Sequence, residues 1–192
     1  PNVYALIAGG DCEAVFQLEG GGMKKFMMQL QPSNLEDVMA GISMYRPGPM
    51  QFLDLFIQGK RDPSSVHYAH PLLKSVLENT YGCIVYQEQV MQIAQKIAGY
   101  SFGGADIMRR SMAKKKREVL IQQKEIFING GVLADDSTKK HIPGAVANGV
   151  SKEIAEELFE QILKFASYAF NKSHAAAYSV VSYRTAWLKC YY

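Results

Sequence analysis

The chain has 192 residues, 48% of them hydrophobic, with 21 Lys and Arg against 18 Asp and Glu and a net charge of +3. That supports one substantial core and a smaller satellite, in one or two compact units, while the global charge alone decides nothing about partners. Cys12, Cys83 and Cys190 are odd in number and form no C-x-x-C pair, which argues against a disulfide framework or a zinc ribbon.

In chain order, 12–18 (CEAVFQL) reads as a short strand or buried turn broken by Gly20-Gly21-Gly22, and Met23 to Leu30 as a short helix. Ser33 and Glu36 have capping-box spacing, and Leu35, Val38, Met39 and Ile42 then share a helical face. That helix ends before Arg46-Pro47-Gly48-Pro49, because proline lacks a donor and restricts the residue before it. After a polar loop at 62–65, Pro71 opens a helix that Tyr81-Gly82 closes. Gln89 to Ala98 carries Val90, Ile93, Ala94 and Ile97 at helical spacing and is ended by Gly99.

Gly103-Gly104 precedes a helix spanning Asp106 to Met112, and another runs from Glu118 to Ile128. Residues 129–148 contain Gly130-Gly131, Asp135-Asp136-Ser137 and Pro143-Gly144, so 129–150 is expected to be a connecting loop between a first part, 1–128, and a helical part, 151–192. Ser151 caps a helix with Ile154, Leu158, Ile162 and Phe165 as its buried stripe, and Ser173 is positioned to cap the last one. The fold class is mainly α, with short irregular or strand segments near the N-terminus. Pro1 in place of an initiator Met, and an end at Tyr192 inside a helical pattern, point to a piece of a longer protein. With no apolar run near the roughly 20 residues that span a bilayer and no leader-like start, the expected location is cytoplasmic, without a membrane partner.

The densest charge is Arg109, Arg110, Lys114, Lys115, Lys116 and Arg117, six cations in nine residues with Glu118 as the adjacent acid. Arg110 and Lys114 are four apart and share a face, and Gly103-Gly104 offers amide donors at the start of the helix, a combination suited to phosphate. A solvated charged face is the alternative. Arg46 precedes a stiff turn that holds its backbone, so its guanidinium can be aimed at an anion; a structural loop arginine is the competing reading. Tyr86, Gln87 and Gln89 place an aromatic and two amides at a helix start, suited to touching a base, sugar or phosphate or to capping. Asn171, Lys172 and His174 form a polar knot before Ala175-Ala176-Ala177, a nucleic-acid contact or a polar helix corner.

No metal site is expected here. His67 and His70 lack a third ligand, and Asp135-Asp136 reads as solvated. Gly20-Gly21-Gly22 before Lys24-Lys25 lacks the G-K-[ST] ending of a P-loop.

Five stretches stand together: 14–19 (AVFQLE) with Gly22-Met23; Tyr45-Arg46-Pro47-Gly48-Pro49; 86–91 (YQEQVM); 103–106 (GGAD) through Arg109-Arg110 to Lys116; and 170–178 (FNKSHAAAY). In content and order they resemble the C-family DNA polymerases, the alpha subunit of bacterial DNA polymerase III and its relatives, over nearly the whole chain. Gly20 departs from the Ser common in that family, and 129–148 is longer than in many members. The resemblance implies a multi-helix fingers domain of a replicative, DNA-directed DNA polymerase that contacts deoxynucleoside triphosphate and primer-template. It implies no catalytic residue here, since the family's aspartates lie in the palm. Magnesium is then expected in the full enzyme on palm carboxylates outside this chain, with no cofactor held by the chain itself. Expected partners are DNA, nucleotide, the rest of the alpha subunit and the replisome. A non-catalytic nucleic-acid-binding helical module is the alternative.

Overall fold

A computed structural model describes residues 2–113, 117–134, 139–166 and 168–192. Ten α-helices are present among them: α1 Asn2–Ala8, α2 Gly21–Leu30, α3 Leu35–Met44, α4 Leu53–Arg61, α5 Pro71–Leu77, α6 Gln87–Ala98, α7 Phe102–Ala113, α8 Arg117–Asn129, α9 Lys152–Ala166 and α10 Lys172–Tyr191. The described strands, β1 Gly131–Val132 and β2 His141–Ile142, form one antiparallel pair with Gly131 opposite Ile142. The mainly α expectation therefore holds. At 12–18 the chain forms turns, and the strands occur later, in the segment expected to be a loop.

Packing divides the chain into two units, Pro1–Ser64 with Phe170–Tyr192, and Ser65–Ala169. The first is discontinuous in sequence. In it α10 packs on α3 and α1, and Val3, Ile7, Leu18, Met27, Leu30, Val38, Phe56, Ala175 and Ala186 are buried. The cap of α3 is one residue later than expected: Asn34 Oδ1 accepts from Asp37 N at 2.9 Å. Ser33 serves instead as a donor, its N and Oγ reaching Asp37 Oδ2 at 2.8 and 3.1 Å. Lys60 Nζ lies 2.8 Å from the same oxygen, so the buried Asp37 carboxylate joins α3 to α4. Gly22 leaves room for Tyr45, whose Oη a Cβ there would strike, and Tyr45 stacks on Phe26 with ring centroids 5.7 Å apart.

The second unit is built around α6, whose Val90, Ile93, Ala94 and Ile97 are buried against α5, α7 and α9. Gly99 ends α6 in the left-handed region at φ 75°, and a Cβ there would meet Pro143 Cδ at 2.9 Å, so glycine is required on both counts. Of the segment expected to connect the parts, residues 129–134 and 139–150 belong to this unit, with Leu133, Ile142, Ala145 and Val150 buried. Their backbone serves the helix ends. Gly144 N donates to Ala98 O at 3.0 Å, Ala145 N to Phe127 O at 2.8 Å, and Asn148 Nδ2 to Ile97 O at 3.0 Å. Last-turn carbonyls have no partner within their own helix, so this segment satisfies acceptors that water would otherwise have to reach.

Ser151 caps α9 as expected, its Oγ accepting from Ile154 N at 3.3 Å. Among the described residues no helix is long and apolar enough to cross a membrane.

Candidate nucleic-acid interface

The second unit carries the arginine pair. α7 begins at Phe102, so Gly103 and Gly104 lie inside its first turn rather than ahead of it. Ser101 takes the place expected of an anion, its Oγ accepting from Gly104 N at 3.0 Å and its carbonyl from Ala105 N at 2.9 Å. The Gly104 amide is thus engaged within the helix start.

The acid that balances the arginines is Asp106, one turn earlier on α7, rather than Glu118. Asp106 Oδ1 accepts from Arg109 Nη2 at 2.8 Å and Nε at 3.2 Å, while Oδ2 lies 3.0 Å from Arg110 Nη2. The spacings of three and four residues make this one-sided fork a property of the helix. Gln87, first residue of α6, accepts from Arg109 Nη1 at 3.3 Å and donates to Ala169 O at 3.2 Å. Arg110 stays exposed at 62%, Arg109 only 23%. Lys114, Lys115 and Lys116 lie outside the described residues, as do Asp135 and Asp136, so the expected Arg110–Lys114 face does too.

Two neighbouring candidates face inward. Tyr86 is buried at the cap of α6. Gln89 is a buried clasp: Oε1 accepts from Val85 N at 2.8 Å and Tyr86 N at 3.0 Å, and Nε2 donates to Thr80 Oγ1 at 2.7 Å and Val76 O at 3.2 Å. Its amide is spent in tying α5 to α6, which removes it from an open surface.

The first unit carries a second cluster. Asn171, not Ser173, caps α10, its Oδ1 accepting from His174 N at 2.8 Å. Phe170, His174 and Tyr178 recur every four residues, with His174 5.4 Å from Phe170 edge-on and 4.1 Å from Tyr178 between ring centroids. Phe16 extends the series, 5.3 Å from Tyr178. At its other end the Arg46 guanidinium lies 4.4 Å over the Phe170 ring, a cation–π contact, with Nε donating to Ser43 O at 2.9 Å. Partial burial pushes the Arg46 pKa down from its ordinary value. Lys172 Nζ sits 3.8 Å from Glu36 Oε2. The aromatic series went unread in the sequence, although its four-residue period was present there; the same holds for Asp106.

His70 is used locally, its Nδ1 accepting from Leu72 N at 3.3 Å at the cap of α5. Among the described residues no group of three or more His, Cys, Asp or Glu side chains is placed to hold a metal ion.

Comparison with known proteins gives these residues a context. The family model of the bacterial DNA polymerase III alpha subunit finger domain matches residues 1–134. The chain is 47% identical over 191 residues to the DNA polymerase III subunit alpha of Halalkalibacterium halodurans, covering 100% of the chain and 16% of that protein. It is 48% identical over 189 residues to that of Treponema pallidum, covering 98% and 15%, and 43% identical over 191 residues to that of Staphylococcus aureus, covering 100% and 17%. The chain thus spans about a sixth of the length of these relatives. With residues 1–134 under one family description, four of the five sequence stretches inside that match and the fifth inside the alignment with the full-length relatives, the chain belongs to the finger domain family of the bacterial DNA polymerase III alpha subunit.

Proposed function

We propose that this chain is the part of a replicative DNA-directed DNA polymerase that binds the incoming deoxynucleoside triphosphate and the primer-template. The observation that carries the reading is the pair Arg109 and Arg110, bridged by Asp106 and steadied by Gln87. Guanidinium groups held on one helix face match the charge and planar geometry of phosphate oxygens. The cluster of Arg46, Lys172 and His174 beside an aromatic series supplies cations and ring faces of the kind that accompany nucleic acid. Lys115 and Lys116 add backbone charge in this reading, and Lys114 joins the arginines on phosphate.

Nucleotidyl transfer by the two-metal route requires carboxylates that hold both magnesium ions. In this reading a palm outside the chain supplies them, and the chain positions substrate without performing the chemistry. The parent subunit, the replisome and a cytoplasmic location complete it; the free thiols of Cys12, Cys83 and Cys190 suit a reducing compartment.

Fluorescence anisotropy with labelled primer-template tests the reading against a non-catalytic nucleic-acid-binding module. A shared phosphate site predicts that deoxynucleoside triphosphate displaces part of the DNA contact at constant ionic strength. A backbone binder responds to salt alone, and that outcome would reject the nucleotide assignment.

A further inference from the structure

Arg109 and Arg110 are adjacent in sequence yet held unequally. Arg109 is gripped from two helices, by Asp106 Oδ1 through Nε and Nη2 and by Gln87 Oε1 through Nη1. Gln87 is itself fixed, because its amide nitrogen donates to Ala169 O at 3.2 Å. Arg110 makes one contact of this kind, to Asp106 Oδ2 at 3.0 Å, and is 62% exposed. A guanidinium has five N–H donors. Among the described residues Arg109 uses three of them, whereas Arg110 has one ion-pair contact.

We propose that Asp106 is a positioning residue for polyphosphate: it orients Arg109 throughout and keeps Arg110 as an exchangeable arm, whose contact to Asp106 Oδ2 gives way to a phosphate oxygen. The inference rests on the phosphate reading of this face given above. A single, solvent-exposed ion pair is weak and screened, so its exchange for a multiply charged ligand costs little. The grip on Arg109 is multiple and partly shielded, so that group is already ordered when ligand arrives and loses less freedom on binding. The carboxylate also cancels one of the two positive charges. It therefore lowers attraction to any polyanion while raising the fit to one that reaches both arginines. Positioning and charge thus act in opposite directions, and two ligands separate them.

The experiment titrates the 192-residue chain and its variants with inorganic tripolyphosphate and, separately, with a short DNA duplex at one ionic strength. Asp106→Ala is expected to lower tripolyphosphate affinity about tenfold, comparable to one charge-assisted hydrogen bond, while duplex affinity holds or rises. Asp106→Asn keeps an oxygen for Arg109 and recovers part of the loss. Arg110→Ala lowers tripolyphosphate affinity and checks the underlying reading. If Arg110→Ala weakens binding but Asp106→Ala leaves it unchanged or tightens it, the positioning role is overturned and the phosphate reading stands. No tripolyphosphate binding by the unmodified chain, or unchanged affinity in both Arg109→Ala and Arg110→Ala, removes the two together. Equal loss of both ligands in Asp106→Ala and Asp106→Asn, with a lowered melting temperature, marks a purely structural aspartate and also overturns the proposal.

Discussion

Lys60 Nζ lies 2.8 Å from Asp37 Oδ2, with the Asp37 side chain 3% exposed and that of Lys60 14%. This pair differs in kind from the other ion pairs of the first unit, whose acids are open to water. A carboxylate out of water is stable only with its donors in place, and here they are Lys60 and both polar groups of Ser33.

Lys60→Met should therefore destabilise the chain by about 3 kcal/mol, since removing one partner leaves a buried charge poorly compensated. Combining it with Asp37→Asn should recover part of the loss. Urea denaturation of the single and double variants measures both, and a double variant no more stable than Lys60→Met would show that the carboxylate's charge is not the source of the cost.

Gly99→Ala should lower stability by about 1–3 kcal/mol, because alanine at φ 75° is strained and its Cβ meets Pro143. The loss should appear as earlier thermal melting of the chain. A melting temperature equal to that of the parent chain would mean that 143–148 shifts without cost.

Burial pushes the Cys83 thiol up to about 12 from its ordinary value of 9.0. Burial also raises Cys12, opposed by Lys24 and Lys189. Since the thiolate is the reactive form, iodoacetamide at pH 8 should label Cys190 well before Cys83. The linkage has a definite sign: above pH 9 the unfolded chain loses the Cys83 proton first, so this thiol's contribution to stability declines between about pH 9 and 12. Mass spectrometry of labelled peptides, native and in denaturant, reads the order of reaction; equal native rates for Cys83 and Cys190 would contradict it.

Primer extension with magnesium should give no product from the chain alone, and binding to DNA should weaken steeply with salt. Each phosphate contact contributes about 0.9 to the logarithmic salt slope for duplex DNA. Changing Lys114, Lys115 and Lys116 together to Ala should flatten that slope, and an unchanged slope would take the three lysines out of the footprint.

Helices were legible wherever period and stop signal coincided, as in α9 behind Ser151 and α6 before Gly99. Caps were legible only to within a residue or two. Ser33 and Asn34, or Asn171 and Ser173, offer equivalent oxygens, and backbone geometry rather than side-chain type selects between them. The helix-end contacts of 144–148 were not legible, because glycine, proline and asparagine are as suited to wrapping helix ends as to linking parts, and only three-dimensional packing distinguishes the two. The inward turn of Gln89 depends on Thr80 and Val76, partners that local spacing does not identify.

The discontinuity of the first unit also bears on how the chain is made. Residues 65–169 form their unit from one uninterrupted stretch, whereas the core around Val38 and Ile42 is completed by α10, which follows that whole stretch. During synthesis the ribosome delivers α1 to α4 long before Ala175 and Ala186 emerge. The waiting apolar face of α3 is then exposed until the later helix returns to it, a long-range closure of the kind that is slow and prone to off-pathway association. If residues 65–169 fold first, the ends of the early and late segments are joined by a compact body instead of a floppy loop, which lowers the entropic cost of that closure. Translation order would then favour completion of the inserted unit before the outer one.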